Sequence, residues 1–321
     1  MQTPNHDSRR RVLILLLICV LAGAQSGCRI SDLATRMFFR NLPEYFVPNG
    51  EHIERFDHIA GDLYSFRLDF DRNVVLKTSA GLVVIDSFND EFSQRLSTHL
   101  AREFPGMKVH TLIYSHYHLD HVRGGQHLHP KHVLTHAQTP RYWKELAPWH
   151  HDRFGLKPTR LLRGDQILRV GDRKIQLLYL GKSHTDTLYA FYFPEERALF
   201  APDMGFVRTV VPGGLPDMYF PGYMAALDRL LKLDIQHYVP SHFDPGTAAD
   251  LENFADFMKE SRVMTAAVFR EHGRIDNPNT ANLYFDGVYL PLKKKYGDWH
   301  GFDQMILPHI IRNFTGTYLG Y

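Results

Sequence analysis

Apolar residues alternate with polar ones, or gather in short unbroken runs, between Leu63 and Asp86 and again between Gln166 and Ala201. Runs of roughly four to eight residues bounded by turn residues predict strands. They fall at Leu63–Phe70, Asn73–Thr78, Leu82–Asp86, Val109–Tyr114, Gln166–Val170, Lys174–Leu180, Leu188–Phe193, Ala198–Ala201 and Gln236–Pro240. A different period separates them. Phe92, Leu96, Leu100 and Phe104 recur every four positions, which predicts a helix over Glu91–Phe104 lying on the sheet. Further helices are predicted at Gln126–His129, Ala225–Leu233 and Ala248–His272, the last with Leu251, Phe254, Phe257 and Met258 on one face. The alternation is that of a layered α/β chain.

Both ends of the chain break this pattern. Arg9–Arg11 precede Val12–Ala24, thirteen uncharged residues rich in Leu and Ile. That is short of the ~20 residues a spanning helix needs and suits the apolar region of a signal peptide. Ser26 and Gly27 lead into Cys28 as in a bacterial lipoprotein cleavage site, although Gln25 stands where that pattern has a leucine-like residue. Ser8–Leu13 partly resembles a twin-arginine export signal, and an uncleaved anchor is the alternative. The expectation is export to the bacterial periplasm or outer surface, with the membrane met through lipidated Cys28. Residues 1–28 are thus read as a signal segment, 29–61 as an N-terminal arm, 62–272 as the main domain and 273–321 as an extension. The extension holds Tyr284, Phe285, Tyr289, Tyr296, Trp299, Phe302, Phe314, Tyr318 and Tyr321, too many aromatics for a disordered tail.

The candidate chemistry sits directly after the run Val109–Tyr114, in Ser115-His116-Tyr117-His118-Leu119-Asp120-His121. Three histidines and a carboxylate at a strand end make a poor core and a good metal site, since imidazole nitrogen and carboxylate oxygen are zinc ligands. The motif resembles the signature of the metallo-β-lactamase-fold hydrolases. The family's later positions are matched in order by His184 in Gly181-Lys182-Ser183-His184, Asp203 in Ala201-Pro202-Asp203, and His242 in Pro240-Ser241-His242. The likeness covers roughly Asp62 to His272. It implies an αββα sandwich of four layers, here with an aromatic-rich C-terminal extension.

The resemblance also implies roles. His116, His118 and His184 would hold one Zn²⁺, Asp120, His121 and His242 a second, and Asp203 would bridge the two, with Fe²⁺ or Mn²⁺ as alternatives. Two ions ~3.5–4 Å apart activate a water near neutral pH, and Asp120 would orient it or pass its proton. Thr185 and Asp186, beside His184, are expected as partners for ring N–H groups, with Asp186 as a turn residue the alternative. The acidic Asp203, and the lack of a lysine in the loop after it, separate this chain from the zinc β-lactamases. The full ligand set resembles the lactonase, thioesterase and glyoxalase II members instead. Hydrolysis of an ester, lactone, thioester or amide of a small molecule is the expected reaction. Phosphodiesterase, sulfatase or β-lactamase activity on the same metals is the alternative, and a lipid-anchored zinc-binding protein without turnover represents another class.

The aromatic-rich stretch between Thr139 and Gly164 reads either as one side of a substrate cleft, with Trp143 and Trp149 as contacts, or as a helix capping the core. Arg208 in the loop after Asp203 either grips an anionic substrate group or is a surface arginine. His127, His129, His132 and His136 match no ligand position and are expected to face solvent or pack. Composition narrows the rest. The 321 residues carry 37 basic and 35 acidic side chains, and Lys293–Lys295 is the one basic triplet outside the N-terminal segment, so nucleic acid is not the expected partner. The only cysteines are Cys19 and Cys28, which leaves no thiolate nucleophile and no disulfide framework for the folded body.

Overall fold

A computed structural model describes residues 42–150 and 154–320. The signal segment with Cys28, most of the proposed arm, His151 and Tyr321 lie outside the described residues. No helix among the described residues is long and apolar enough to cross a membrane. The chain forms two compact units, one of residues 52–207 and 217–254, the other including residues 208–216 and everything from 255 onward.

The first unit holds two sheets. Strands β1 (Glu54–Ala60), β2 (Leu63–Leu68), β3 (Asp71–Thr78), β4 (Gly81–Ile85), β5 (Val109–Ile113), β6 (His132–His136) and β7 (Arg160–Leu162) lie side by side in chain order. Pairing is antiparallel from β1 to β4 and parallel from β4 to β7. The second sheet has five strands: β8 (Gln166–Val170), β9 (Arg173–Tyr179), β10 (Tyr189–Phe193), β11 (Ala198–Phe200) and β12 (His237–Val239), in the order 12-11-10-9-8.

Alternate residues of one strand serve two cores. Val74, Leu76, Val83 and Ile85 point between the sheets, against Ile175, Leu177, Phe191 and Phe200. Their neighbours Val75, Leu82 and Val84 point the other way, against Phe92, Leu96 and Leu100 of α1 (Asp90–Glu103). Burial on both faces is why β4 reads as a continuous apolar run. Helix α1 starts where Asn89 caps it, accepting from the Phe92 N–H at 3.0 Å. On the outside of the second sheet, α4 (Phe220–Leu230) buries Tyr223, Ala226, Leu227 and Leu230. The expected αββα layering is present.

Three strands are additional to those the pattern predicts: β1, β6 and β7. β1 was expected to be part of the arm, and its Glu54-Arg55-Phe56-Asp57-His58 gives no apolar alternation because it is an edge strand. β6 carries His132 and His136, which the sequence reading places on the surface or in packing; His136 is buried and stacks on Tyr179 at 4.9 Å. The predicted helix at Gln126–His129 is a single 3-10 turn over Gly125–Leu128.

The second unit is helical. Helix α5 (Ala248–His272) runs into it, followed by α6 (Pro278–Tyr284), a π-turn at Phe285–Tyr289, α7 (Leu290–Tyr296) and α8 (Phe302–Leu319). Asn277 and Thr280 form a reciprocal capping box at the start of α6. Phe257 packs against Tyr296, Trp299 and the His309 ring, so the aromatics of the extension form a core. Two short helices lie in the first unit between β5 and β7: α2 (Leu119–Val122), which ends the metal loop, and α3 (Thr139–Leu146).

Candidate metal centre

Every proposed ligand sits just past a strand. His116, His118, Asp120 and His121 follow β5, His184 follows β9, Asp203 follows β11 and His242 follows β12. Strand ends hold loop residues in register, so side chains distant in sequence meet. They meet as two groups, His116–His118–His184–Asp203 and Asp120–His121–His242, with the ligand atoms of each within 4.8 Å of one another.

Asp203 lies at the middle. Its Oδ2 is 3.4 Å from His116 Nε2, 3.4 Å from His184 Nε2 and 3.1 Å from His121 Nε2, while Oδ1 is 3.1 Å from His242 Nε2. One carboxylate therefore faces histidines of both groups. Its backbone holds a φ of +55°, a left-handed conformation unusual for a residue with a side chain. Ser241 Oγ donates to Oδ1 at 3.0 Å, and Tyr223 Oη donates to the Asp203 carbonyl at 2.9 Å, which keep that conformation in place.

The outer nitrogens of His116, His118, His121 and His242 each lie within 3.3 Å of an oxygen. His121 Nδ1 is 2.9 Å from Asp86 Oδ2, and the same carboxylate accepts from the Ser115 N–H and hydroxyl, each at 2.7 Å. His242 Nδ1 is 3.3 Å from Asp71 Oδ1, His116 Nδ1 is 3.0 Å from Ser115 Oγ, and His118 Nε2 is 2.9 Å from Asp217 Oδ2. These contacts leave His116 Nε2, His118 Nδ1, His121 Nε2, His184 Nε2 and His242 Nε2 turned inward.

That arrangement fits a cation. His116 Nε2 and His121 Nε2 are buried with no hydrogen-bond partner, a cost that a bound metal removes. Nitrogen and oxygen donors without sulfur suit zinc and the other first-row divalent ions. Burial opposes ionisation of Asp203, but the charge of His121 and the close approach of His121, His184 and His242 hold its carboxyl well below the usual carboxylate range. Burial pushes His116 well below the ordinary imidazole range, towards the neutral form that ligates. Asp120 is the open side of the site, 60% exposed and 3.7 Å from His121 Nε2.

Of the residues expected to touch substrate, Trp143 is buried while Trp149 and Arg208 are exposed. Trp143 is a core residue, packed on Tyr114 and donating from its indole N–H to the Tyr117 carbonyl at 3.0 Å, so it supports the metal loop from beneath. Trp149 stands 81% exposed on a 3-10 turn, and Arg208 belongs to the helical unit, where it pairs with Asp298. Asp186 accepts from Tyr142 Oη at 2.5 Å and Thr185 meets Thr187, so neither meets a ring N–H. Asp71, Asp86 and Asp217 fill that role, and sequence reasoning missed all three. The one signal was position: Asp71 begins a strand and Asp86 ends one.

Residues 70–242, more than half of the chain, match the Metallo-beta-lactamase superfamily. Over 254 residues the chain is 29% identical to the 2,4-dinitroanisole O-demethylase subunit alpha of Nocardioides sp., covering 76% of this chain and 75% of that protein. It is 26% identical over 192 residues to the metallo-beta-lactamase type 2 of Bacillus cereus, covering 58% of this chain and 72% of the other. Among solved structures, a metallo-beta-lactamase from Pontibacter korlensis superposes with a TM-score of 0.54 at 18% identity, covering 64% of this chain and 98% of that one. That likeness concerns the fold.

Proposed function

The chain belongs to the metallo-beta-lactamase superfamily, hydrolases with a His/Asp metal cluster that act on small molecules, and on that premise we propose a binuclear zinc hydrolase cleaving an ester, lactone, thioester or amide. The observation that carries this reading is Asp203, whose two oxygens face histidines of both ligand groups. His116, His118 and His184 would hold one ion, His121, His242 and Asp120 the other, and Asp203 would join them. Bound divalent ions supply Lewis acidity to the substrate oxygen and to a water molecule. Asp120, exposed at the open side, takes up the proton that the water releases and returns it to the leaving group. The buried carboxylate of Asp86 and the half-buried one of Asp71 would keep the rings of His121 and His242 fixed through the cycle.

A second reading, cleavage of an aryl ether, is favoured by one feature of the rim. Tyr117, between two ligands, stacks on Tyr142 with ring centroids 4.4 Å apart, and both are half-buried. Such a pair suits a flat aromatic substrate, and the Nocardioides relative is named for O-demethylation of 2,4-dinitroanisole. The test is a turnover panel of ester, lactone, thioester, amide, aryl methyl ether, phosphodiester, sulfate ester and β-lactam, with and without chelator. Chelator-sensitive turnover of a carbonyl substrate supports the first reading, and of the aryl ether alone the second. We also propose export and lipidation at Cys28; a mature chain beginning elsewhere, by mass spectrometry of the membrane fraction, contradicts that.

A further inference from the structure

The outer nitrogens of the ligand histidines divide into two kinds. Those of His121 and His242 meet Asp86, directly after β4, and Asp71, the first residue of β3. His118 Nε2 meets Asp217 Oδ2 at 2.9 Å, and Asp217 lies in no strand or helix and is 40% exposed. His184 Nδ1, like His242 Nδ1, is buried without a hydrogen-bond partner, and it stands 3.8 Å from the other oxygen of the Asp217 carboxylate. The inward nitrogens of these two rings, His118 Nδ1 and His184 Nε2, are 3.2 Å apart, so both aim at one point.

The backbone around Asp217 is tied to the loop that carries His184. Tyr219 N–H donates to the Ser183 carbonyl at 2.8 Å, and the Lys182 ammonium lies 4.5 Å over the Tyr219 ring. Gly222 approaches so closely that a Cβ there would fall 1.9 Å from the Lys182 carbonyl oxygen. The segment 217–222 and the His184 loop therefore hold one relative position, which sets the Asp217 carboxylate across His118 and His184.

We propose that Asp217 is a positioning residue for the first ligand group: its carboxylate spans the outer nitrogens of His118 and His184 and fixes both rings. The affinity of that group for its metal then depends on the segment 217–222. This rests on the binuclear reading above. Losing a carboxylate behind a ligating histidine lowers metal affinity by about 10–100-fold. Because Asp217 serves only one of the two groups, the loss is confined to one ion.

The experiment is zinc titration against a chromophoric chelator on the full chain, for the unaltered protein, Asp217→Ala, Asp217→Asn and Asp217→Glu, with circular dichroism as the check on folding. The expected result is two bound ions in the unaltered protein. In Asp217→Ala and Asp217→Asn one of them is weakened by about 10–100-fold and the other is unchanged, with partial recovery in Asp217→Glu. A merely structural role would weaken both together. Equal affinities in all four proteins, or a parallel loss at both sites, overturn the proposal while leaving the binuclear reading intact. Fewer than two ions in the unaltered protein overturn both.

Discussion

Replacing Asp86 by asparagine exchanges one oxygen for an NH₂ group and tests whether the carboxylates behind the ligand histidines decide which ring nitrogen faces the metal. Asp86 accepts three hydrogen bonds: the Ser115 N–H at 2.7 Å, the Ser115 hydroxyl at 2.7 Å and His121 Nδ1 at 2.9 Å. Its φ of +64° is one that asparagine tolerates, so the backbone has no reason to move. In Asp86→Asn the amide oxygen can stay on the Ser115 N–H, and the amide NH₂ then takes the position of Oδ2. That NH₂ donates to His121 Nδ1 and drives the ring proton to Nε2, the atom aimed at the metal. Binding at His121 must then first undo that tautomer, which corresponds to about 10–100-fold in affinity, or roughly 1.4–2.7 kcal/mol. The fold loses little, because each amide group still has a partner. Asp86→Ala behaves differently: it leaves the Ser115 N–H and His121 Nδ1 as buried orphans, at about 1–3 kcal/mol each, while the Ser115 hydroxyl can turn to His116 Nδ1. Chelator competition measures the affinities and thermal unfolding of the metal-free protein measures the fold. The reasoning is refuted if Asp86→Asn binds both ions as the unaltered protein does, or if it unfolds as readily as Asp86→Ala.

Two further predictions concern residues that are not metal ligands. In the helical unit, burial and the charge of Arg312 push His309 down to about 3, and its Nε2 shares Ser261 Oγ at 2.7 Å and Asn313 Nδ2 at 3.1 Å. The unfolded chain binds a proton at His309 near pH 6.5 and the folded one does not. Stability is therefore full above that pH and falls as the pH drops, by about 2 kcal/mol between pH 7 and pH 5. Denaturant unfolding at the two pH values should show this slope, and His309→Leu should flatten it; an unchanged slope in the variant contradicts the assignment. Trp143→Ala should cost about 3–5 kcal/mol through loss of core packing, with the bound zinc per folded chain unchanged. Loss of substrate affinity without loss of stability would instead make Trp143 the cleft residue that its sequence neighbourhood suggested.

Much of the site was readable because it is local. His116, His118, Asp120 and His121 lie within one loop, and the run before it is plainly a strand, so the donors and their placement could be read together. Helix α1 was legible through its four-residue period, and its aromatic and leucine face is the one that packs. The anchors were not legible. An isolated aspartate at a strand end resembles a turn residue, and nothing near Asp86 or Asp71 says that the chain returns with a histidine to meet it. Asp217 was hidden in a proline- and glycine-rich loop. Trp143 shows the reverse difficulty: aromatic density marks burial and cleft alike, and only the contact of its indole N–H with the Tyr117 carbonyl separates them. The helices of the extension were obscured by Pro308 inside α8 and by the π-turn at Phe285–Tyr289, both of which disturb the helical period.

The central claim is that Asp203 joins two metal-binding groups into one hydrolytic centre. The most direct measurement is zinc content per chain, with turnover of the responsive substrate, for the unaltered protein and for His116→Ala, His121→Ala and Asp203→Ala. The account predicts about two ions and chelator-sensitive turnover in the unaltered protein, loss of one ion from each histidine variant, and loss of turnover in all three variants. Two ions retained and full turnover in Asp203→Ala would contradict it.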